Sequence, residues 1–332
     1  MHLGRIRDPV SVGPERSGVL TRQVRTVRTA LKVGIEQTVT RSGLADLVGR
    51  RHRTRRLVLA YHNVVPRGEG VWGERALHVT ESNFQDHLDV LEDAATVMSL
   101  RRLLLGPPGG PGGPFVAITF DDGYRGAVLQ GATALAQRGL PATFFVSPGL
   151  SQEKGFWWDR LAEAAGGAMQ KKIRKRCLEE MAGQQARVLQ WAGSKGLLGQ
   201  VGPSHAHPAS DQELETLVDR GPFDLGCHTW RHPNLVRLKS NDRQREIGRC
   251  SEWIEGVTGA PPEVISYPYG LESEGVQNDV RASGHTRGLR IAGGWLSEEK
   301  TANPFALNRL NVPAGLTANG LRMRLAGIGL KP

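Results

Sequence analysis

The stretch FVAITFDDGYRGAVLQGATALAQRGLPATFFV, residues 115–146, combines two hydrophobic patterns. Its ends, 115–120 and 142–146, are short apolar runs that predict strands buried on both faces. Residues 125–139 between them predict a helix that ends at Gly139. A strand, a helix and a strand at this spacing make a βαβ unit, in which the strands are parallel and the crossover is right-handed.

The same alternation recurs along the chain. Further strands are predicted at 57–61, 223–228, 263–270 and 307–312, and further helices at 80–94, 211–221 and 241–258. Because no glycine-rich phosphate fingerprint follows the first strand, this repetition favours an α/β barrel over an open doubly wound sheet. We expect a basic, partly disordered segment with helices at 1–56 and the barrel at 57–332, with a helical insertion at about 155–205.

The positive charge is unevenly distributed. The formal net charge is +10, and much of it lies in the first 56 residues, which end in GRRHRTRR (49–56). Such a cluster can contact nucleic acid or anionic lipid, or can be a solvated segment. Basic and aromatic residues are not interleaved and no zinc-finger spacing occurs, so we expect no nucleic-acid partner. Contact of this segment with the inner membrane surface stays open.

Composition also bears on location. No run of about 18 apolar residues occurs, so no membrane span is expected. The first 18 residues lack the apolar region of a secretory signal, and three cysteines are too few and too scattered for a disulfide framework. We therefore expect a cytoplasmic protein, and nothing in the sequence indicates its oligomeric state.

Polar residues follow several of the predicted strands. His62 follows 57–61, Asp121 and Asp122 follow 115–120, and His228 ends the strand predicted at 223–228. In parallel α/β folds, functional groups collect where the strands end. These side chains are therefore expected to meet at one end of the barrel.

The types and spacing of these residues indicate a metal site. His228 and His232 are four apart, so a helical turn would place both imidazoles on one face, although such a pair alone can be two unrelated surface histidines. With one carboxylate they form a His-His-Asp set with an open coordination position, which is a catalytic pattern. DDG alone can be a capped turn, but two charges beside a buried strand are costly unless paired or metal-bound.

Three motifs in order, TFDDGY (119–124), HTWRH (228–232) and SYPYG (266–270), resemble those of polysaccharide deacetylases, the carbohydrate esterase family 4 or NodB-homology group. The resemblance covers about 57–313, and its flanking segments resemble the branch found in bacterial surface-polysaccharide biosynthesis. It implies a deformed (β/α) TIM-like barrel. It also implies metal-dependent removal of N- or O-acetyl groups from an acetylated carbohydrate, with zinc as the expected divalent ion.

The resemblance implies a role for each matching residue. Asp121 would be the general base, and Asp122, His228 and His232 would bind the metal ion. Thr229 would support the loop between the two histidines.

The third motif would line the acetyl pocket with Pro268, Tyr269 and Gly270. The backbone N–H of Tyr269 would help to stabilise the developing oxyanion. The family commonly carries an arginine in this motif that orients the base, and Ser266 stands there instead. Arg290 or Arg309 can replace it in space.

The late histidine that serves the family as general acid is not evident. His285 is one candidate, and His62, at a strand end, is the preferred one. A structural role for His62 at the barrel rim is the alternative. Trp157, Trp158 and Asp159 begin the insertion; Trp158 and Asp159 are predicted substrate contacts, although the tryptophans can instead pin the inserted helices to the barrel.

Two other functions stay open. Related barrels hydrolyse other C–N bonds, so an amidase acting on a non-sugar substrate is one alternative. A non-catalytic glycan-binding barrel is the other, suggested by Ser266 and the absent late histidine. The complete Asp-Asp-His-His set favours the deacetylase.

Overall fold

The computed structural model describes residues 48–106, 113–297 and 302–330, together with 34, 36–38, 40 and 42. Most of the predicted basic segment 1–56 lies outside the described residues. The strands are β1 Arg56–Tyr61, β2 Asn63–Val65, β3 His78–Thr80, β4 Thr96–Val97, β5 Phe115–Phe120, β6 Ala142–Val146, β7 Phe223–Cys227, β8 Val264–Ser266, β9 Arg287–Ile291 and β10 Leu307–Asn311.

Ten α-helices lie in the described ranges. They are α1 Glu81–Ala94, α2 Leu100–Leu105, α3 Ala132–Gln137, α4 Trp157–Ala164, α5 Lys171–Glu180, α6 Gln185–Ser194, α7 Asp211–Leu217, α8 Ser240–Thr258, α9 Glu274–Ala282 and α10 Ala318–Leu325. Helix α3 is preceded by the π-helical segment Ala127–Gly131. Helices α4, α5 and α6 lie within the range 155–205, where a helical insertion is predicted.

Seven parallel strands close into a barrel, as the sequence predicts. Their order is β1-β10-β9-β8-β7-β6-β5, and β5 pairs again with β1. β4 pairs with the first two residues of β5, and β2 and β3 form a separate two-stranded sheet. Within the described ranges, no helix has both the length and the apolar character needed to cross a bilayer.

Alternate side chains of each strand face opposite sides of the barrel wall. Val58, Ala117, Phe145 and Leu289 belong to the smaller apolar cluster, which fills the barrel interior. The intervening residues of the same strands belong to the larger cluster, which also includes side chains of the surrounding helices. Towards the carboxyl ends of the strands, the same inward-facing alternate positions are occupied by polar residues. The alternation therefore decides which polar side chains enter the mouth of the barrel.

Most of the predicted elements are confirmed to within a few residues. Thr80 caps α1, since its hydroxyl accepts a hydrogen bond from the backbone N–H of Asn83 at 3.3 Å. Strand β9 and helix α9 were not predicted, because their short apolar pattern is interrupted by charged residues. The predicted helical turn over His228–His232 is wrong: this segment is a non-helical loop.

Candidate metal centre and catalytic site

A cavity of about 140 Å³ opens at the carboxyl ends of the barrel strands. It is lined by His62, Leu77, Asp121, Asp122, Trp158, Arg174, His228, His232, Tyr269, Gly270, Ile291 and Asn311. The predicted base and metal ligands therefore share one site, although His232 lies 111 positions after Asp121 in the chain. Of the other predicted site residues, Pro268 and Asp159 are not part of its wall.

Asp122, His228 and His232 place three ligand atoms together. Asp122 Oδ1 lies 3.3 Å from His228 Nε2 and 3.1 Å from His232 Nε2, and the two nitrogens are 3.0 Å apart. A tetrahedral site with bonds of about 2.0–2.2 Å separates its donor atoms by roughly 3.3–3.6 Å, close to these spacings. These three residues could therefore hold one metal ion, and all three line the cavity.

Hydrogen bonding prepares His228 to bind a cation. Its Nδ1 lies 2.7 Å from the backbone oxygen of Ser266, so Nδ1–H donates there and Nε2 faces Asp122 and His232. Burial lowers the pKa of His232 and favours its neutral ring. Burial alone would raise the pKa of Asp122, but hydrogen bonds from the two histidines hold it well below its usual range. Burial would lower the pKa of His228, but the nearby Asp121 and Asp122 outweigh burial and raise it. A divalent metal requires a carboxylate and neutral imidazoles, so its binding would release the proton of His228.

The loop after β7 brings the histidines together by left-handed turns, not by a helix. Thr229 has φ 68° and His232 has φ 55°, conformations that cost L-residues about 1–2 kcal/mol each. The Thr229 hydroxyl accepts a hydrogen bond from the backbone N–H of His232 at 3.0 Å. This contact agrees with the supporting role expected for Thr229.

Asp121 is held by Arg309, which replaces the arginine absent at Ser266. Arg309 Nη1 donates to Asp121 Oδ1 at 2.8 Å and Nη2 donates to Oδ2 at 2.6 Å, a bidentate pair with both side chains buried. The Ser266 hydroxyl donates to the same carboxylate at 3.2 Å. Burial alone would raise the pKa of Asp121, but the Arg309 guanidinium outweighs the effect of burial and lowers the pKa. The other candidate, Arg290, pairs with Glu272 at 3.2 Å instead.

His62 lies in the cavity wall with its Nδ1 buried and without a partner among the described residues. Burial lowers the pKa of its imidazole. His285 is buried in the turn between α9 and β9 and is not part of the wall, so it is excluded as the acid. Asn311 was not predicted, yet it lines the cavity and its Oδ1 also has no described partner. The alternation of side chains along LNRLN (307–311) could have predicted it, because Asn311 faces the same side of the barrel wall as Arg309.

Asp159 is not a substrate contact, and that prediction is wrong. Its side chain is fully buried and accepts hydrogen bonds from the Tyr124 hydroxyl at 2.6 Å and the Glu74 backbone N–H at 2.8 Å. His78 Nε2 lies 3.0 Å from the same carboxylate. These three partners occupy the carboxylate, so Asp159 joins the insertion to the loop before β3.

The tryptophans are buried, as the structural alternative expects. Trp157 Nε1 donates to the Tyr269 hydroxyl at 3.2 Å, and Trp158 Nε1 donates to the Tyr124 hydroxyl at 2.8 Å. Trp158 also borders the cavity, and its ring centre lies 4.9 Å from that of His232. Trp158 therefore packs against the predicted metal ligand His232 from the cavity side.

Two of the three predicted pocket residues of the third motif line the cavity. Tyr269, with φ 61°, and Gly270 are in the wall, and the Tyr269 hydroxyl donates to the His232 carbonyl at 3.2 Å. Pro268 is buried and is not part of the wall, so its contact with substrate stays a prediction. It begins the turn Pro268–Gly270 that presents the next two residues.

A larger cavity of about 480 Å³ lies at the opposite end of the barrel. Phe223, Asp224 and Val264, from the amino ends of β7 and β8, line part of it. Its wall includes none of the predicted site residues. The chemistry is therefore assigned to the smaller cavity, where the titratable groups converge.

Comparison with known proteins agrees with this geometry. Residues 109–288, more than half of the chain, match the family model described as Polysaccharide deacetylase. The chain belongs to the polysaccharide deacetylase family. The family consists of hydrolases that act on carbon–nitrogen bonds other than peptide bonds.

Two curated proteins from Bacillus subtilis are similar to this chain. It is 23% identical to the putative polysaccharide deacetylase YxkH over 134 residues, which is 40% of this chain and 47% of that protein. It is 30% identical to the peptidoglycan-N-acetylmuramic acid deacetylase PdaC over 59 residues, 18% of this chain and 12% of that one. The chain thus spans less than half of the length of either relative.

Solved structures share the barrel. The Streptococcus pyogenes deacetylase PplD superposes with a TM-score of 0.56 at 14% identity, covering 80% of this chain and 96% of that one. IcaB from Ammonifex degensii has a TM-score of 0.53 at 16% identity, covering 82% and 96%. At these identities the similarity establishes the fold.

Proposed function

We propose that this protein is a metal-dependent deacetylase that removes an N-acetyl (or O-acetyl) group from a sugar in a polysaccharide, oligosaccharide or glycan precursor. The observation that carries the proposal is the pairing of two sites: the Asp122-His228-His232 face and, beside it, Asp121 fixed by Arg309. The proposed base Asp121 and the proposed ligand Asp122 are adjacent in sequence yet have different partners, so one can act on a water molecule while the other binds the ion.

A divalent ion such as zinc, held by Asp122, His228 and His232, would polarise the acetyl carbonyl and lower the pKa of a water molecule. Asp121, ionised beside Arg309, accepts the proton of that water while the water oxygen bonds to the carbonyl carbon. The carbonyl oxygen gains negative charge, and the backbone N–H of Tyr269 is the proposed donor to it. The lining of Trp158 and Tyr269 limits water at the reacting carbon.

The carbon–nitrogen bond then breaks, and the leaving amine needs one proton. We assign this proton to His62, whose imidazole lines the cavity and is not among the metal ligands. Its lowered pKa makes the protonated ring a stronger acid towards the amine. The products are acetate and the free amino sugar.

Acetate release tests the proposal directly. Purified protein is incubated with N-acetylglucosamine oligomers and with acetylated glycan precursors, with zinc or cobalt added. We expect release that a chelator abolishes and added metal restores. Asp121→Asn should lower kcat at least a hundredfold, within the range of about 10²–10⁴ for general bases, while metal content is unchanged.

A matched control removes a carboxylate elsewhere. Asp219→Asn changes an exposed residue of the opposite cavity and should retain full activity. Purified wild type that binds no metal would refute the mechanism. Hydrolysis confined to non-sugar amides would identify an amidase, and glycan binding without hydrolysis would identify a binding barrel.

A further inference from the structure

Arg174, on helix α5 of the insertion, lines the same cavity as the proposed base and metal ligands. Its guanidinium carbon lies 6.0 Å from the centre of the Tyr269 ring, and the residue is half-buried. Within the described ranges, no ion pair or hydrogen bond links its side chain to another residue. A cation therefore borders the site without a counter-charge among these residues.

The neighbouring cations of α5 are engaged elsewhere or exposed. Arg176 donates to Glu180 at 2.9 Å, and Lys175 lies 3.9 Å from Glu179. Lys171 and Lys172 are exposed and are not in the cavity wall. Arg174 is thus the basic residue of this helix that points its charge at the site, in a segment KKIRKR (171–176) that carries five positive charges and no acidic residue.

The two carboxylates inside the cavity have partners of their own. Arg309 neutralises Asp121 through two hydrogen bonds, and Asp122 faces the two histidines. An ion bound there would add positive charge to the same small space. A substrate group that compensates Arg174 must therefore be an anion, and the planar fork of arginine suits carboxylate and phosphate oxygens.

We propose that Arg174 binds an anionic group, a carboxylate or a phosphate, on the sugar that carries the acetyl group or on its neighbour. This inference rests on the proposed function and narrows its substrate class to negatively charged glycans. Tyr269 supports the guanidinium through its ring and forms the adjacent part of the wall. Arg174 is thus a specificity residue, placed outside the reacting atoms.

The test compares substrates that differ only in charge. Acetate release is measured for a glucuronate–N-acetylglucosamine oligosaccharide against its methyl ester, and for N-acetylglucosamine 1-phosphate against methyl N-acetylglucosaminide. We expect the wild type to show a KM on the order of tenfold lower for one anionic member, as a charge-assisted contact allows. A preference for the glucuronate oligosaccharide over its methyl ester would indicate an acidic polymer as substrate. A preference for the 1-phosphate over the methyl glycoside would indicate a phosphorylated precursor.

Arg174→Gln should remove that preference by raising the KM of the anionic substrate towards that of its neutral counterpart. Arg174→Lys keeps the charge and should retain part of the preference. Lys172→Gln removes one charge from an exposed position of the same helix and serves as the matched control. Equal KM values for charged and neutral substrates in the wild type, or a preference that survives in Arg174→Gln, would overturn the proposal.

A binding measurement separates this inference from the proposed function. Zinc-loaded wild type and Arg174→Gln are titrated calorimetrically with glucuronate and with inorganic phosphate. Weaker binding of either anion to the variant by at least about fivefold supports the subsite even if none of the substrates releases acetate. Equal binding of both anions to the two proteins refutes the subsite, whatever the outcome of the activity assay.

Discussion

Asp121 and Asp122 are neighbours that face different partners. Asp121 enters the barrel interior, where Arg309 and Ser266 hold its carboxylate, and Asp122, with φ 71°, turns towards the two histidines. Successive residues at the end of a strand point in different directions, so the chain can divide two roles between adjacent carboxylates. The repulsion between the two charges is offset because each one has its own cationic or hydrogen-bonding partner.

Arg309 is expected to set the pH range in which Asp121 is ionised. Burial raises the pKa of Asp121 and the Arg309 charge is the largest effect that lowers it, so the pKa rises in Arg309→Gln. A base must be ionised to accept a proton, so the acidic limb of kcat/KM should move to higher pH in the variant. A pH–rate profile checks this shift.

The test on Arg309 needs a check of folding and two control variants. Removing one partner of a buried pair costs about 3–5 kcal/mol, so thermal melting must establish that Arg309→Gln is folded. Arg309→Lys retains a positive charge and should keep the acidic limb nearer to that of the wild type. Arg290→Gln, whose side chain pairs with Glu272, should leave the profile unchanged. An unshifted acidic limb in a folded Arg309→Gln would contradict this role.

His62 carries the prediction for the general acid. His62→Ala should lower kcat at least about tenfold, since acid catalysis typically contributes 10²–10⁴-fold, while bound metal stays the same. His207→Ala changes a half-buried histidine outside the cavity wall and is the control. Near-normal turnover of His62→Ala would remove His62 from the mechanism and leave it a structural role at the barrel rim.

At the scale of elements, the loop after β7 decides the metal geometry. It begins at His228, takes left-handed conformations at Thr229 and His232, and continues to α8. The hydroxyl of Thr229 and the hydroxyl of Tyr269 bond the backbone on either side of the His232 side chain. Rigid support of this kind aligns a ligand before the metal binds, so less free energy is spent on ordering.

Thr229→Val tests that support with little change in shape. Valine keeps the β-branched side chain but cannot accept the hydrogen bond from the His232 N–H, so zinc affinity should fall by about 10–100-fold. Competition with a chromophoric chelator measures the affinity. Thr229→Ser retains the hydroxyl and should bind zinc nearly as the wild type does. Equal affinities for the Val and Ser variants would exclude the hydroxyl from a role in metal binding.

At the scale of the whole molecule, barrel packing and catalysis share residues. Phe145 belongs to the interior apolar cluster, and the guanidinium carbon of Arg309 lies 5.4 Å from the centre of its ring. Gly226, paired with Phe145 on the next strand, leaves room for that ring. A Cβ at Gly226 would approach ring atoms of Phe145 to 2.4 Å. The barrel interior therefore supports the arginine that orients the base.

Gly226→Ala should destabilise the fold by about 1–3 kcal/mol, because overpacking a filled core forces side chains from their preferred positions. We expect a Tm several degrees lower and a reduced kcat, since Arg309 rests on the displaced ring. Gly248→Ala is the matched control: its Cβ would meet nothing within 4 Å in helix α8, and alanine favours a helix by up to about 1 kcal/mol. A Gly226→Ala melting temperature equal to or above that of the wild type would contradict the packing argument.

Sequence alone determined the barrel and predicted the three residues that meet in the candidate metal site. Strands buried on both faces are short apolar runs, which can be recognised in the local sequence. The polar residues that follow these runs indicate the end of the barrel at which the functional side chains meet. The set Asp121, Asp122, His228 and His232 could therefore be predicted from the sequence, although the segment between the two histidines was expected to be helical.

Only the tertiary structure decided which side chains support these residues. Arg309 contacts Asp121, 188 positions away in sequence, because β10 lies next to β1, and β1 pairs with β5 where the barrel closes. The local sequence pattern does not predict which distant strands become neighbours. The same reason explains Asp159, whose buried partners come from the loop before β3 and from Tyr124. It also explains Arg174, which reaches the cavity through the packing of the insertion over the barrel mouth.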